Sequence, residues 1–274
     1  MTTTVDPTVV DETGRRDATA HLSVQDVTVK FGGLVANNEV TLDVPFGGIS
    51  GLIGPNGAGK TTLFNVITGA QAPTSGRVVL DGEDITSASR QRRARSGMAR
   101  TFQNLSLVTS LSVLDNVTLG FGRFRDSGIL AAVVRRPRST RQDRRLRALG
   151  MEALEFVGLA DQARRPTSDL PYGDRRRLEI ARALACGPEI LLLDEPSAGM
   201  SPAETDALAT VIARAHEVFR VTVFLVEHDM SFVRRLTSEC TVIEFGRVIA
   251  AGRTDEVLSD PVVAEAYLGS GATG

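Results

Sequence analysis

The sequence predicts an α/β fold, on three observations. An apolar run, Ile49 to Ile53, leads into a glycine-rich loop and then into an apolar-periodic stretch starting at Leu63. Two further runs, Ile190 to Leu193 and Val221 to Val226, are continuous in apolar residues, as strands buried in a parallel sheet are. Helical stretches separate these strands, and strands alternating with helices indicate an α/β core.

The loop is the first element to justify. It reads Gly54, Pro55, Asn56, Gly57, Ala58, Gly59, Lys60, Thr61 and Thr62. Gly54, Gly59, Lys60 and Thr61 meet the pattern G-x-x-x-x-G-K-[ST], in the strand–loop–helix context that a phosphate-binding P-loop requires. Glycines let backbone N–H groups turn inward around an anion. The following helix aims its positive end at the same place. Lys60 is expected to reach β- and γ-phosphates, and the Thr61 hydroxyl to bind Mg²⁺. The competing reading, a chance glycine-rich turn, does not account for a complete motif with both flanks in place. The fold class is therefore a P-loop NTPase core.

On either side of this loop the pattern is β-rich. Leu22, Val24, Val27 and Val29 read as a strand with an interruption, and Val40, Leu42 and Val44 alternate as another. Val78 and Leu80, followed by Asp81-Gly82, mark a β edge after the P-loop helix. Thr241 to Phe245 and Val248 to Ala250 flank Gly246-Arg247, a hairpin signal. These give an antiparallel β subdomain beside the core. From about Gly120 to Pro166 β signals fade, and Leu146, Leu149, Met151, Leu154 and Val157 recur at helical spacing. A helical insertion is expected over about residues 104–185. Its arginine-rich stretch, Arg135 to Arg147, reads as a solvated helix face; a lipid-headgroup or nucleic-acid patch is the other reading. Residues 1–19 are rich in Thr and Asp with little periodicity, and a disordered tail is expected there. Residues 20–274 then form a single domain.

Composition narrows the class. The 274 residues carry a net charge of −2, so no global field draws nucleic acid, and no nucleic-acid partner is expected. Only two of the 31 basic residues are lysines, Lys30 and Lys60; a GC-rich genome explains the arginine bias. Cys186 and Cys240 match no metal or redox spacing and read as small buried side chains. No apolar run reaches the ~18 residues of a membrane span, and the N-terminus lacks a signal-peptide pattern. A cytoplasmic protein is expected, peripheral to a membrane through a partner.

The run Ile190–Leu193 ends in Asp194-Glu195. Strand C-termini of a parallel sheet face the ligand crevice. There Asp194 is expected to hold Mg²⁺ through water, and Glu195 to position or deprotonate the attacking water.

With these motifs in place the chain resembles an ABC transporter ATPase subunit. The resemblance implies further roles. Phe31, before Gly32, stands where the family places an aromatic that stacks on adenine; a core phenylalanine is the alternative. Gln103, in Arg100-Thr101-Phe102-Gln103-Asn104, matches the Q-loop glutamine, which touches Mg²⁺ and water and senses the membrane partner. His228, in Val226-Glu227-His228-Asp229, matches the switch histidine that contacts the γ-phosphate. Leu170-Pro171-Tyr172-Gly173-Asp174 matches the signature segment, usually Leu-Ser-Gly-Gly-Gln, which completes the ATP site of the opposite subunit. Tyr172, Gly173 and Asp174 thus join the nucleotide-contacting set. Pro171 in place of serine removes a hydroxyl, and Asp174 in place of glutamine sets an acid near a phosphate or serves the helix itself. Ser197-Ala198-Gly199-Met200-Ser201-Pro202 replaces the common D-loop, Ser-Ala-Leu-Asp.

The stretches Phe31 to Leu34, Arg100 to Asn104, Arg176 to Leu184, Ala198 to Met200, Glu227 to Met230, Gly246 to Ala250 and Glu265 to Gly269, with Tyr172, resemble one branch of the family over about residues 22–269, the ATP-binding subunits of bacterial branched-chain amino acid import systems. That likeness implies ATP and Mg²⁺ as cofactors, and a role in powering uptake through integral-membrane permease subunits. It also implies a companion ATPase subunit, in a heterodimer or as a homodimer, and an extracytoplasmic solute-binding protein reached through the permease. The alternatives are a urea or amide importer, a lipid exporter, or a soluble non-transport ABC ATPase. The helical insertion and the Gln103 loop are expected to form the permease-binding groove, with some of Leu105, Leu107, Val108 and Leu111 exposed as its patch; burial of all four in the core is the alternative.

Overall fold

A computed structural model describes residues 20–101, 107–121 and 141–269; the tail 1–19, Gln103 and Leu105 lie outside them. In chain order the elements begin with β1 (Leu22–Phe31), β2 (Leu34–Val44), β3 (Ile49–Ile53), α1 (Lys60–Ile67), β4 (Ser75–Leu80) and β5 (Glu83–Asp84). Next come α2 (Arg90–Arg95), β6 (Met98–Arg100), α3 (Val113–Gly120), α4 (Arg141–Phe156), α5 (Tyr172–Ala185) and β7 (Ile190–Asp194). The chain closes with α6 (Pro202–Phe219), β8 (Thr222–Val226), α7 (Met230–Leu236), β9 (Glu239–Glu244), β10 (Arg247–Arg253), α8 (Thr254–Val257) and α9 (Pro261–Gly269). They fall into two units, Met1–Arg93 with Thr237–Gly274, and Ala94–Leu236.

The first unit contains an antiparallel sheet ordered β2-β1-β4-β5. Leu22 and Val24 of β1 pair with Val44 and Leu42 of β2 and with Leu80 and Val78 of β4. All six side chains are buried, so one face of the sheet is core. The interruption in β1 is a bulge. Asp26 takes a positive φ of 50°, the pairing slips between Val24 and Val27, and Val27 and Val29 then carry the buried face. Thr41 pins the bulge by accepting from the Asp26 amide and donating to its carboxylate, both at 3.0 Å.

In the same unit β10 pairs antiparallel with β9, and β9 parallel with β3. The sequence pattern set the β9–β10 turn on Gly246-Arg247. The structure sets it one residue earlier, on Phe245-Gly246, with φ of 45° and 76°, and Arg247 opens β10 opposite Glu244. A two-residue turn with both φ positive matches the twist of the strands it joins. This turn is bolted to the phosphate-binding loop, where Gly246 N donates to Ala58 O at 2.9 Å, and to β2, where Asn38 N donates to Gly246 O at 2.8 Å.

The second unit holds a parallel sheet ordered β8-β7-β6. Every residue of β7 and β8 is buried, as their continuous apolar runs require. The three-residue β6 is too short to show a period and was not legible. Helices α3, α4 and α5 meet through small residues: a Cβ on Gly120 would lie 2.3 Å from Arg182 O, and one on Gly150 2.8 Å from the Leu114 side chain. Of the expected apolar stripe, Leu154 and Val157 are buried and Leu149 is exposed. Arg144, Arg145 and Arg147 are exposed, which fits a solvated helix face. Cys240 is buried and Cys186 only half-buried.

Asn116, fully buried, ties down the chain that follows the Gln103 segment. Its amide exchanges two hydrogen bonds with the Val108 backbone, each 2.9 Å, and donates to Thr167 Oγ1 at 2.9 Å. Leu107 is buried here and Val108 exposed, so the apolar stretch after Gln103 divides between core and surface.

Candidate functional site: a phosphate loop and a carboxylate strand

The phosphate loop is built entirely within the first unit. β3 delivers it and α1 receives it, with Gly59 at the N-cap at φ 100°. Two glycines are fixed by close approach. A Cβ on Gly54 would lie 2.1 Å from Ile243 O, and one on Gly59 2.4 Å from Ala36 O. Gly57, at φ 79°, faces open space. Lys60 is 4% exposed; its ammonium donates to the carbonyls of Gly54 at 2.5 Å and Pro55 at 2.9 Å. A compact cation is thus held inside the loop. No acid lies in the first turn of α1. Backbone donors, a caged lysine and a helix start free of acid fit a phosphate chain. Ala58 is buried, Asn56, Gly57 and Thr61 are exposed, and Pro55 and Thr62 are intermediate. Phe31 lies at the tip of the β1–β2 hairpin and is 48% exposed, which removes the core reading and leaves its ring available for stacking.

The carboxylate strand belongs to the second unit. Asp194, at the end of β7, is 1% exposed. Its Oδ2 accepts from Arg100 on β6 at 3.3 Å, and its Oδ1 has no hydrogen-bond partner. Burial pushes this carboxyl above its ordinary value, against the pull of Arg100. A desolvated, half-satisfied carboxylate is the chemistry that a hydrated divalent cation completes. Among the described residues no three His, Cys, Asp or Glu side chains form a metal cage, so a cation there depends on other oxygens, such as those of a nucleotide. Glu195 follows with φ 45°, an uncommon conformation for a side-chain-bearing residue. Its N–H donates to Val226 O at 2.9 Å, which extends the β7–β8 ladder by one bond.

His228 stands at the corresponding end of β8, its side chain 50% exposed. Glu227, fully buried, was missed by sequence reasoning. Its Oε1 accepts from Ser197 N at 2.9 Å and Ser197 Oγ at 2.6 Å. Its Oε2 accepts from His228 N at 3.0 Å. An acid closing an otherwise apolar strand was the available signal. Arg100, the charge partner of Asp194, was also missed as a site residue.

In the signature segment Pro171 is the N-cap of α5 and supplies no side-chain cap. Tyr172, 38% exposed, accepts from Arg176 at 2.7 Å. Gly173 is buried. Asp174 is engaged inside the unit: Oδ1 accepts from Arg177 at 2.5 Å and Oδ2 from Gln162 at 2.8 Å. Its charge is compensated locally, which favours the helix-serving reading over direct opposition to a phosphate.

Comparison with known proteins places this geometry. The family described as ABC transporter matches residues 37–198, more than half the chain. The chain belongs to the ABC transporter ATP-binding family. As an ABC ATPase it binds and hydrolyses ATP and has the P-loop NTPase fold of that family. Residues 247–273 match a second family, described as branched-chain amino acid ATP-binding cassette transporter. The ABC ATPase is 41% identical to the high-affinity branched-chain amino acid transport ATP-binding protein BraF of Pseudomonas aeruginosa, over 90% of this chain and 97% of that protein. It is 39% identical to LivG of Escherichia coli, a protein of the same description, over the same shares. Among solved structures the ADP conformation of MJ1267, an ATP-binding cassette of an ABC transporter, superposes with a TM-score of 0.80 at 29% identity, covering 92% of this chain and all of that one. No helix among the described residues is long and apolar enough to cross a membrane.

Proposed function

We propose that this ABC ATPase powers uptake of branched-chain amino acids through separate integral-membrane permease subunits, held at the cytoplasmic face of the membrane. The observation that carries the cargo is the match of its C-terminal segment, residues 247–273, to the branched-chain family; the likeness to BraF and LivG agrees with it. Residues 20–274 act as one ATPase domain with a helical insertion over about 104–185. In this reading the loop from Gly54 to Thr62 binds the phosphates of ATP and Phe31 stacks on its adenine. Thr61, Gln103 and Asp194 hold Mg²⁺, which neutralises phosphate charge when bound. Glu195 takes the proton of the attacking water and His228 contacts the γ-phosphate. Tyr172, Gly173 and Asp174 form the half-site presented to a second ATPase subunit. Because Pro171 supplies no hydroxyl, that half-site is the weaker one, which favours a companion ATPase carrying the usual serine. An extracytoplasmic solute-binding protein delivers cargo to the permease.

The test is a pair of substitutions. Glu195→Gln keeps ATP binding, accumulates a closed dimer, and lowers turnover by about 10²–10⁴-fold, the usual weight of a general base. Lys60→Ala loses ATP binding instead. Wild-type turnover in Glu195→Gln would remove the assignment. Loss of radiolabelled leucine uptake on deleting the gene checks the cargo.

A further inference from the structure

The loop from Ser197 to Ser201 is held by a carboxylate at each end. Glu227 holds its first residue, as described above. At its last residue Ser201 caps α6, and Glu204 closes a capping box: Oε2 accepts from Ser201 N at 2.9 Å and Ser201 Oγ at 2.7 Å. A capping box uses one carboxylate oxygen. The other, Oε1, is turned to Gly173 at the start of α5; a Cβ built on Gly173 would stand 2.7 Å from it. The Ser201 backbone and hydroxyl, and then the Gly173 amide, hold the Glu204 carboxyl below its ordinary value. The Tyr172 ring leans on the same loop, 3.6 Å from a Cβ built on Gly199. The start of α5, which has no side-chain cap of its own, therefore faces a carboxylate carried by α6.

We infer that Glu204 is a positioning residue for ATP-driven closure: within one subunit its carboxylate stands against Gly173, where the opposite subunit's ATP must approach. The inference rests on the reading of Tyr172 to Asp174 as a half-site completed by a second subunit. Its sign follows from charge. A carboxylate and a γ-phosphate are both anions, so the two repel where they converge on Gly173. Closure must move Oε1 off Gly173, while Oε2 can stay on Ser201. In the absence of nucleotide the same contact keeps the signature segment and the loop before α6 in fixed register.

The test uses the full chain carrying Glu195→Gln to slow hydrolysis, with dimer formation followed by light scattering against MgATP concentration. Glu204→Gln preserves the capping box, which accepts glutamine as well as glutamate, and removes the charge. It is expected to leave the melting temperature unchanged and to lower the half-saturating MgATP by about fivefold, the weight of two unit charges a few ångström apart in water. Added salt should narrow the gap, since it screens exposed charges; a purely structural cap would show no such dependence. Glu204→Ala, which leaves Ser201 as the cap, must move the ATP requirement the same way. An unchanged or raised requirement in these variants overturns the role of Glu204 while the half-site reading stands. Absence of any ATP-driven dimer, by the chain alone and with its companion ATPase, with or without the Glu204 change, overturns that reading and the inference with it.

Discussion

The phosphate loop and the carboxylate strand solve opposite problems. In the loop, polar groups are already matched: Lys60 rests on two carbonyls, and Gly54 and Gly59 fill spaces where no Cβ fits. At the strand end, Asp194 is buried with one oxygen unpartnered, and Glu195 carries a positive φ. The loop is shaped before any nucleotide arrives. The strand end keeps an unmet demand that a ligand can satisfy. The comparison teaches that preorganisation and stored cost sit in different structural units of this ATPase.

The largest effect should come from disturbing the preorganised half. Gly54→Ala sets a Cβ 2.1 Å from a backbone oxygen that cannot turn away. A loss of more than about 4 kcal/mol in stability is expected, together with loss of ATP binding. Thermal denaturation and nucleotide titration measure both, and a stable variant that binds ATP would break the contrast.

A smaller and opposite effect is expected at the strand end. Asp194→Asn removes a desolvated charge while keeping an acceptor for Arg100. The nucleotide-free protein should gain roughly 0.5–2 kcal/mol, the scale recovered when functional strain is relieved, while Mg²⁺-dependent turnover is lost. If chemical denaturation shows the variant less stable than wild type, Asp194 is a structural acid and not a held-back ligand.

The smallest effect sharpens the comparison with an acid whose demand is met. Asp229 Oδ1 accepts from the Ser231 hydroxyl at 2.6 Å, from Ser231 N at 2.8 Å and from Phe232 N at 3.2 Å, at the start of α7. The Ser231 hydroxyl leads in holding its carboxyl below the ordinary value. With a lowered folded value, its stabilisation is present above the unfolded value of about 3.9 and is lost as pH falls through the folded one. Asp229→Ala should cost about 1 kcal/mol at neutral pH and shrink the acid-side loss of stability below about pH 4. A denaturation series across that window decides it.

What was legible in the sequence follows the same division. The loop showed itself because its chemistry is local: eight consecutive residues, Gly54 to Thr61, and two flanks specify the whole device. The runs ending at Leu193 and Val226 showed the buried strands because parallel strands are apolar on both faces. Glu227 and Glu204 were not legible, since their partners Ser197 and Gly173 stand about thirty residues away in sequence. The β9–β10 turn was misplaced by one residue because Phe245, 83% exposed, reads as apolar strand; only the backbone shows its positive φ. Asp174 stood open between an acid near a phosphate and one serving its helix, and the partners that take its oxygens, Gln162 and Arg177, show only in the structure.

One side chain at the far end of the P-loop helix has a mechanical consequence. Arg93, buried on α2, donates to the terminal carbonyls of α1, Val66 at 2.8 Å and Ile67 at 2.5 Å, and to Thr86 at 2.9 Å and Ala88 at 3.1 Å. An eight-residue helix is too short to hold its form unaided, so its stiffness is borrowed from this fork. From Lys60 the helix runs about 12 Å to a guanidinium braced against a second stretch of backbone, at Thr86 and Ala88. Burial pulls that group below its ordinary value, but an arginine begins far above neutrality and stays charged. The anvil under the loop therefore keeps its hardness across the pH range in which the rest of the machine works, and a lysine, a single point without a fork, could not replace it.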